Sequence, residues 1–123
     1  MPTLGEVSVL FLEDHSDVVI IQAKGRFDQT NLETLSREIT PLMEHAPIRY
    51  IILDFTKVEF INSKVLGYLA ELHTMIHDNK KIVLGGCSEA VYNVLSLVGM
   101  HTILHYFENV EEALHVITSD RDQ

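Results

Sequence analysis

Two short hydrophobic runs near the start of the chain are separated by a polar segment. Val7–Leu12 and Val18–Ala23 flank the polar residues 13–17, a pattern typical of two strands joined by a turn. We expect these strands to pair antiparallel. Further on, hydrophobic residues recur every three or four positions, which predicts a helix capped by Thr30 or Asn31. Its hydrophobic positions are Leu32, Leu35, Ile39, Leu42 and Met43.

The middle of the chain begins with a nearly continuous hydrophobic run. Tyr50–Phe55 is typical of a strand that is covered on both faces. The polar residues that follow end the predicted strand, and Asn62 or Ser63 is a suitable N-cap for a helix that extends to about His77. The polar residues are Thr56, Lys57 and Glu59, and the hydrophobic positions of the helix are Val65, Leu66, Leu69 and Leu72.

Strands and helices alternate in the last third of the chain. The pattern predicts a strand, a glycine turn, a helix, a short strand and a last helix, followed by a polar tail. These are Ile82–Leu84, residues 85–86, Ser88–Val98, Ile103–Phe107, Val110–Ile117 and residues 120–123.

Two strands followed by alternating helices and strands predict an α/β fold. We expect a mixed sheet of about five strands, parallel in its later part, with about four helices. One domain accounts for residues 1–123, with an ordered core from about residue 5 to about residue 118. In such sheets, sites gather at the carboxyl ends of the strands. Asp28 and Ser63 follow the second and third strands, so we expect both on one rim.

Composition narrows the classes of partner. Nine Lys and Arg against eighteen Asp and Glu give a net charge of −9, which argues against binding to nucleic acid or to anionic membrane surfaces. A basic protein partner fits this charge, but simple solubility is the more common explanation of an acidic chain. The chain has no basic leader with a long hydrophobic stretch and no run of eighteen apolar residues. We therefore expect a cytoplasmic protein without membrane insertion.

The junction at Asn62-Ser63 is where we expect function. A serine hydroxyl at a helix N-terminus lies beside unpaired N–H groups and a partial positive charge. A phosphate attached to Ser63 would be stabilised there.

The residues around this junction resemble the STAS domain of bacterial anti-sigma factor antagonists. The likeness is carried by Gly25-x-x-Asp28, by residues 53–55 leading to residues 60–63 and Leu66-Gly67, and by residues 88–91 with Gly99. In that family a kinase phosphorylates a serine that follows an aspartate in a D-S-[ST]-G-L-G-like motif. Ser63 occupies the serine position. The resemblance also implies a small sheet with its helices packed mainly on one side.

Three positions of the motif depart from the family. Asn62 replaces the aspartate, while Lys64 and Val65 stand where Ser or Thr and then Gly are usual. Asn62 caps a helix as well as aspartate does, but it removes one negative charge, and Lys64 adds a positive one. Val65 requires an ordinary helical backbone at a position where glycine is permissive.

The resemblance implies a non-enzymatic module whose phosphorylation decides which protein it binds. The unphosphorylated form would bind a serine kinase of the GHKL type that resembles an anti-sigma factor, and a metal-dependent phosphatase would remove the phosphate. The candidate contacts are Asp28, Asn62, Lys64, Gly67 and Tyr68. The alternative is a constitutive STAS subunit of a transport or structural complex that is never phosphorylated.

Metal binding, cysteine chemistry and acyl transfer have weaker support from the sequence. His73 and His77 are spaced to share a metal on one helix, and His101 and His105 flank the predicted short strand, but neither pair has a third ligand, so we expect no metal. Cys87 cannot form an intrachain disulfide, because it is the chain's one cysteine, and a structural role is expected. Ser63 lacks a G-x-S-x-G elbow and an assignable base, so an acyl-transfer enzyme is disfavoured. No cofactor motif is present.

Overall fold

The computed structural model describes residues 5–76 and 80–121, and in residues 120–121 only the backbone. Five strands and five helices follow one another along the chain. They are β1 Glu6–Phe11, β2 Val18–Phe27, α1 Leu32–Glu44, β3 Tyr50–Ile61, α2 Ser63–Thr74, β4 Lys81–Cys87, α3 Glu89–Leu97, α4 Met100–Ile103, β5 Tyr106–Phe107 and α5 Val110–Arg121. None of these helices has the length and hydrophobicity needed to cross a lipid bilayer.

The strands form one five-stranded sheet in the order β1-β2-β3-β4-β5. β1 pairs antiparallel with β2, as expected for a hairpin whose turn is polar. Every later pair is parallel, because a helix returns the chain to the start of the sheet before each new strand. The α/β class and the mixed sheet predicted from the sequence are therefore confirmed.

The two faces of the sheet are covered unequally. Alternate residues of β3 point to opposite faces, so Ile51 and Leu53 pack in the larger core while Ile52 packs in the smaller one. The larger core also contains the buried residues of α1, α2, α3 and α4. The smaller core contains Ala113 and Ile117 of α5. Helices therefore pack mainly on one side, as the resemblance implied.

β3 is twice as long as predicted. The polar residues that were expected to end it are exposed, yet Val58 and Ile61 further along the same strand are buried in the larger core. The strand continues because α5 covers only part of the smaller-core face, so polar side chains of β3 point to solvent there. The pairing of β2 with β3 shifts register twice, between Gln22 and Lys24 and between Gly25 and Arg26.

The prediction of a turn at Gly85-Gly86 is wrong, because both glycines lie inside β4. A Cβ atom on Gly85 would come within 2.7 Å of the Ile52 side chain, and one on Gly86 within 2.7 Å of the Thr56 side chain. Gly86 also has a φ of +92°. Glycine is needed here for close packing within the sheet and for backbone conformation rather than for a chain reversal.

The prediction of a strand at Ile103–Phe107 is also largely wrong. Gly99 takes a left-handed conformation and a new short helix, α4, begins directly after it. Met100 and Leu104 are both buried, and their four-residue separation is helical. Only Tyr106 and Phe107 form a strand.

The ends of two helices also differ from the predicted ones. α5 continues through Arg121, so the predicted tail is helical as far as that residue, and residues 122–123 lie outside the described part of the chain. α2 ends at Thr74. The predicted end at His77 lies outside the described residues.

Candidate functional site

The carboxyl ends of β2 and β3 meet at one rim of the sheet. Phe27 and Ile61, the last residues of the two strands, are register partners. The loop that starts at Asp28 and the helix start at Asn62 therefore lie side by side. Parallel pairing brings together residues more than thirty positions apart in the chain, as expected for a site at strand ends.

Asn62 is the N-cap of α2. Its side-chain oxygen accepts hydrogen bonds from the backbone N–H groups of Lys64 (3.1 Å) and Val65 (3.2 Å). Its side-chain nitrogen donates to Gln29 Oε1 at 2.5 Å, which ties the β2–α1 loop to α2. Of the two capping candidates, Asn62 therefore holds the role, and Ser63 is the first residue of the helix.

Ser63 is exposed, and its hydroxyl makes no hydrogen bond with any residue in ranges 5–76 and 80–121. Thr56 and Ser88 are two other candidate acceptors, and their hydroxyls are already engaged in hydrogen bonds. Thr56 Oγ1 donates to Asp54 at 2.7 Å, and Ser88 Oγ donates to the Val58 carbonyl at 2.8 Å while capping α3. Among these three hydroxyls, only that of Ser63 is both accessible and free to react.

Asp28 is fixed at the start of the β2–α1 loop. Its Oδ1 accepts hydrogen bonds from the Thr30 hydroxyl (2.5 Å) and the Thr30 N–H (2.8 Å). These bonds favour the charged form and hold the pKa of Asp28 below its usual 3.8. Asn31 stands at the N-cap position of α1, but its side chain turns back to Asp28 N–H and the Arg26 carbonyl instead of capping the helix.

The outer face of α2 extends the rim. Lys64 and Gly67 are exposed, and a Cβ atom on Gly67 would meet nothing within 4 Å. Tyr68 is half-buried, and its hydroxyl lies 3.0 Å from Thr40 Oγ1 of α1. Burial raises the pKa of Tyr68 above 10.0, although the hydrogen bond with Thr40 opposes this. The phenol is therefore a neutral hydrogen-bonding group at neutral pH.

Gln29 and Thr40 were missed by sequence analysis, although each contacts a predicted site residue. Gln29 bonds Asn62 across 33 positions of sequence, and Thr40 bonds Tyr68 across 28. No local pattern identifies such long-range partners. The structure brings Asp28, Asn62, Ser63 and Lys64 to one rim and places Gly67 and Tyr68 on the adjoining helix.

The other candidate chemistry finds little support. No group of three His, Cys, Asp or Glu side chains that could hold a metal ion occurs among the described residues. His73 is exposed, His77 lies outside the described residues, and His101 and His105 lie in or just after α4 rather than around a strand. Burial raises the pKa of the Cys87 thiol to about 11, which keeps it protonated and unreactive at neutral pH.

Comparison with known proteins decides the family. The sequence model of the STAS domain family matches residues 11–113 of this chain. This chain belongs to the STAS domain family. The family resemblance predicted from the sequence is thus confirmed at the level of the domain.

Solved structures of three other proteins share the fold. An anti-sigma factor antagonist from Mycobacterium paratuberculosis aligns with a TM-score of 0.73 at 22% identity, covering 90% of this chain and 95% of that one. The Bacillus cell fate determinant SpoIIAA in its phosphorylated form aligns with a TM-score of 0.66 at 18% identity, covering 90% and 98%. The murine anion transporter Slc26a9 aligns with a TM-score of 0.73 at 18% identity, covering 94% of this chain but 22% of the transporter.

Proposed function

We propose that this STAS domain is a phosphorylation-controlled protein-binding module of a bacterial partner-switching pathway, with Ser63 as the phosphoacceptor. The observation that carries the proposal is the exposed Ser63 hydroxyl, which makes no hydrogen bond within the described residues and lies at the N-terminus of α2. A kinase can reach this hydroxyl without disturbing a cap, because Asn62 performs the capping.

The switch requires only local electrostatics. A phosphate on Ser63 adds about −1.5 to −2 charges at neutral pH and three acceptor oxygens. The helix N-terminus and the neighbouring Lys64 stabilise that charge, so the fold survives phosphorylation. A partner surface that fits a neutral hydroxyl would be repelled by it. Phosphorylation therefore releases one partner without unfolding the domain.

The proposed partners act on the same rim. The unphosphorylated domain binds a serine kinase of the GHKL type that resembles an anti-sigma factor, and a metal-dependent phosphatase restores this form. Asp28 and Asn62 would contact the partner through the rim, and Lys64, Gly67 and Tyr68 through the outer face of α2. Gly67 supports this assignment, because it weakens the helix by about 1 kcal/mol relative to alanine and no internal contact requires it. A close approach of a partner backbone explains its presence.

The functions of proteins with a similar fold favour this proposal. Several of its structural neighbours are anti-sigma factor antagonists, and SpoIIAA among them exists in a phosphorylated form. The domain would act by binding alone, without catalysing a reaction, and in the cytoplasm, where ATP-dependent kinases operate.

A constitutive STAS subunit of a transport or structural complex is the alternative. Val65 favours it, because this residue is 0% exposed and leaves no glycine flexibility beside the serine. The likeness to a part of an anion transporter points in the same direction. In this alternative Ser63 is never phosphorylated and partner binding does not depend on ATP.

Intact-mass measurement distinguishes the two functions. The protein is incubated with ATP and a histidine-kinase-like ATPase encoded beside its gene, and one added phosphate per chain is expected. Ser63→Ala should remove the added mass, whereas the control Ser119→Ala, an exposed serine on α5, should retain it. Full labelling of Ser63→Ala would move the acceptor elsewhere, and a complete absence of labelling would favour the constitutive subunit.

A further inference from the structure

A second concave site lies at the opposite end of the sheet from Ser63. β5 pairs with β4 only at Leu84 and Gly85. The first part of β4, Lys81–Val83, therefore precedes the start of β5 and, among the residues that the structure describes, has no strand beside it on that edge. A cavity of about 310 Å3 lies over this stretch, between the end of α2, the α4–β5 segment and α5. Its size is at the lower end of the range for sites that bind small molecules.

The walls of the cavity are mostly hydrophobic. Ile76 of the segment after α2, Ile103 of α4, Phe107 of β5 and Val116 of α5 all line it. Ile103 is 41% exposed, so this part of the wall is accessible from solvent. An apolar molecule in the cavity would cover this surface.

The charged side chains that line the cavity are both lysines. Within the described residues its lining includes Lys80, Lys81, His73 and His105, and no Asp or Glu. The chain as a whole has twice as many acidic as basic residues. A lining whose described residues include no acid is therefore a local departure from the overall charge, and it is complementary to an anion.

Lys80 is the unusual member of this lining, because it is only 8% exposed. Its Nζ donates hydrogen bonds to the carbonyls of His45, at 2.6 Å, and Ile48. No carboxylate in the described part of the chain forms an ion pair with it. An ammonium has three donors, so one remains after these two bonds. A lysine held this way, with no counter-ion among the described residues, is suited to meet an anionic head group.

We propose that this cavity binds a small amphipathic monocarboxylate, with its carboxylate at Lys80 and Lys81 and its hydrocarbon body against Ile103, Phe107 and Val116. The hydrophobic walls select the body and the two ammonium groups select the acid. The site is independent of the function proposed for Ser63, which lies at the other end of the strands.

Octanoate is the probe that tests this site. Titration of the full chain, followed by amide NMR, should show saturable shifts at residues of the cavity and none at residues 62–68. Octanol is the matched control, because it has the same chain without the charge. We expect octanoate to bind at least about tenfold more tightly than octanol, as a charge-assisted contact requires.

Three variants locate the contacts. Lys81→Glu reverses a charge at the cavity, and Ile103→Asp places an acid in its wall; because both side chains are partly exposed, both variants should fold and should weaken octanoate binding about tenfold or more. Lys57→Glu makes the same charge change on the other side of the molecule and should leave the affinity unchanged. Equal binding of octanoate and octanol, shifts confined to the Ser63 rim, or an affinity unaffected by Lys81→Glu would each overturn the proposal.

Discussion

At the carboxyl end of the sheet, polar side chains are partly exposed and held by hydrogen bonds to nearby residues, whereas at the amino end a lysine is buried among carbonyls and hydrophobic walls. Asp28 is held by Thr30, and Asn62 by the first N–H groups of its own helix. Lys80 instead bonds carbonyls more than thirty residues away. We propose that the first end binds a protein and that the second binds a small molecule.

The difference follows from how each end of the sheet is covered. Loops that leave the carboxyl ends of β2 and β3 remain short and exposed, so their polar groups face solvent. At the amino end, β5 stops after two residues, and α2, α4 and α5 surround the gap it leaves. One sheet thus supports two sites of different chemistry, and the four predictions below separate them.

The largest expected effect is unfolding of the domain, which would abolish the sites at both ends of the sheet. Ile52 is 0% exposed, so Ile52→Asp buries an unpaired carboxylate in the smaller core and should lower the free energy of unfolding by about 4 kcal/mol or more. Circular dichroism should show an unfolded chain or a much lower Tm. Phe60→Asp is the control, because Phe60 lies on the same strand but is 41% exposed. A well-folded Ile52→Asp would contradict the central position of β3.

A change at Lys80 should affect the amino end alone. Lys80→Met keeps the length of the side chain but removes the donor from two carbonyls, and we expect a loss of about 1–3 kcal/mol of stability. Urea unfolding measures it. The neighbouring exposed Lys81 provides the control Lys81→Met, which should change stability by less than about 0.5 kcal/mol. Partner binding at the Ser63 rim should be unaltered in both variants, and weakened binding would show that the two ends are coupled.

Lys64→Glu should alter binding rather than stability. A cation in the first turn opposes the helix dipole, so its replacement should leave the Tm level or raise it slightly. If Lys64 meets an acidic partner surface, the variant should lose about 1–3 kcal/mol of binding free energy. Calorimetric titration against the partner at low and high salt checks this. Binding by the wild-type protein should be more sensitive to salt than binding by the variant. Equal affinities with equal salt dependence would show that Lys64 does not contribute to partner binding.

The smallest effect concerns Asp28 and pH. Because the pKa of Asp28 is lowered in the folded protein, its charge contributes stability above the unfolded value of 3.8, and that contribution is lost as the pH falls through the folded value. Asp28→Asn should therefore have a slightly lower Tm than wild type at neutral pH, and the gap should close below about pH 3.8. A gap that stays constant down to acidic pH would mean that the Thr30 bonds do not depend on the charge.

Several elements were predictable because their signals are local. The antiparallel hairpin, α1, the cap of α2 and the parallel order all follow from hydrophobic spacing and from one capping residue. The errors arose where distant contacts override local pattern. Thr56 and Lys57 suggested the end of a strand, but β3 continues because part of one sheet face is open to water. Gly85 and Gly86 suggested a turn, but neighbouring side chains pack against their backbone.

The candidate rim was predictable in part for the same reason. Asp28 and Ser63 follow the second and third strands of the predicted sheet, so topology alone predicted that both lie on one rim. Gln29 and Thr40 were not predictable, since each joins the site only through a contact between elements far apart in sequence.

The sequence by itself determined the alternation of strands and helices and the helix start at Asn62-Ser63, because each depends on residues within a few positions of one another. The STAS resemblance could also be recognised from the sequence, because several short motifs of the family occur along the chain. Only the tertiary structure decided that β5 is short, that Lys80 is buried with no counter-ion in the described part of the chain and that a cavity lies beside it. These features depend on how α2, α4 and α5 pack around the edge of the sheet. Such packing is a property of many distant residues at once, and no stretch of the chain encodes it alone.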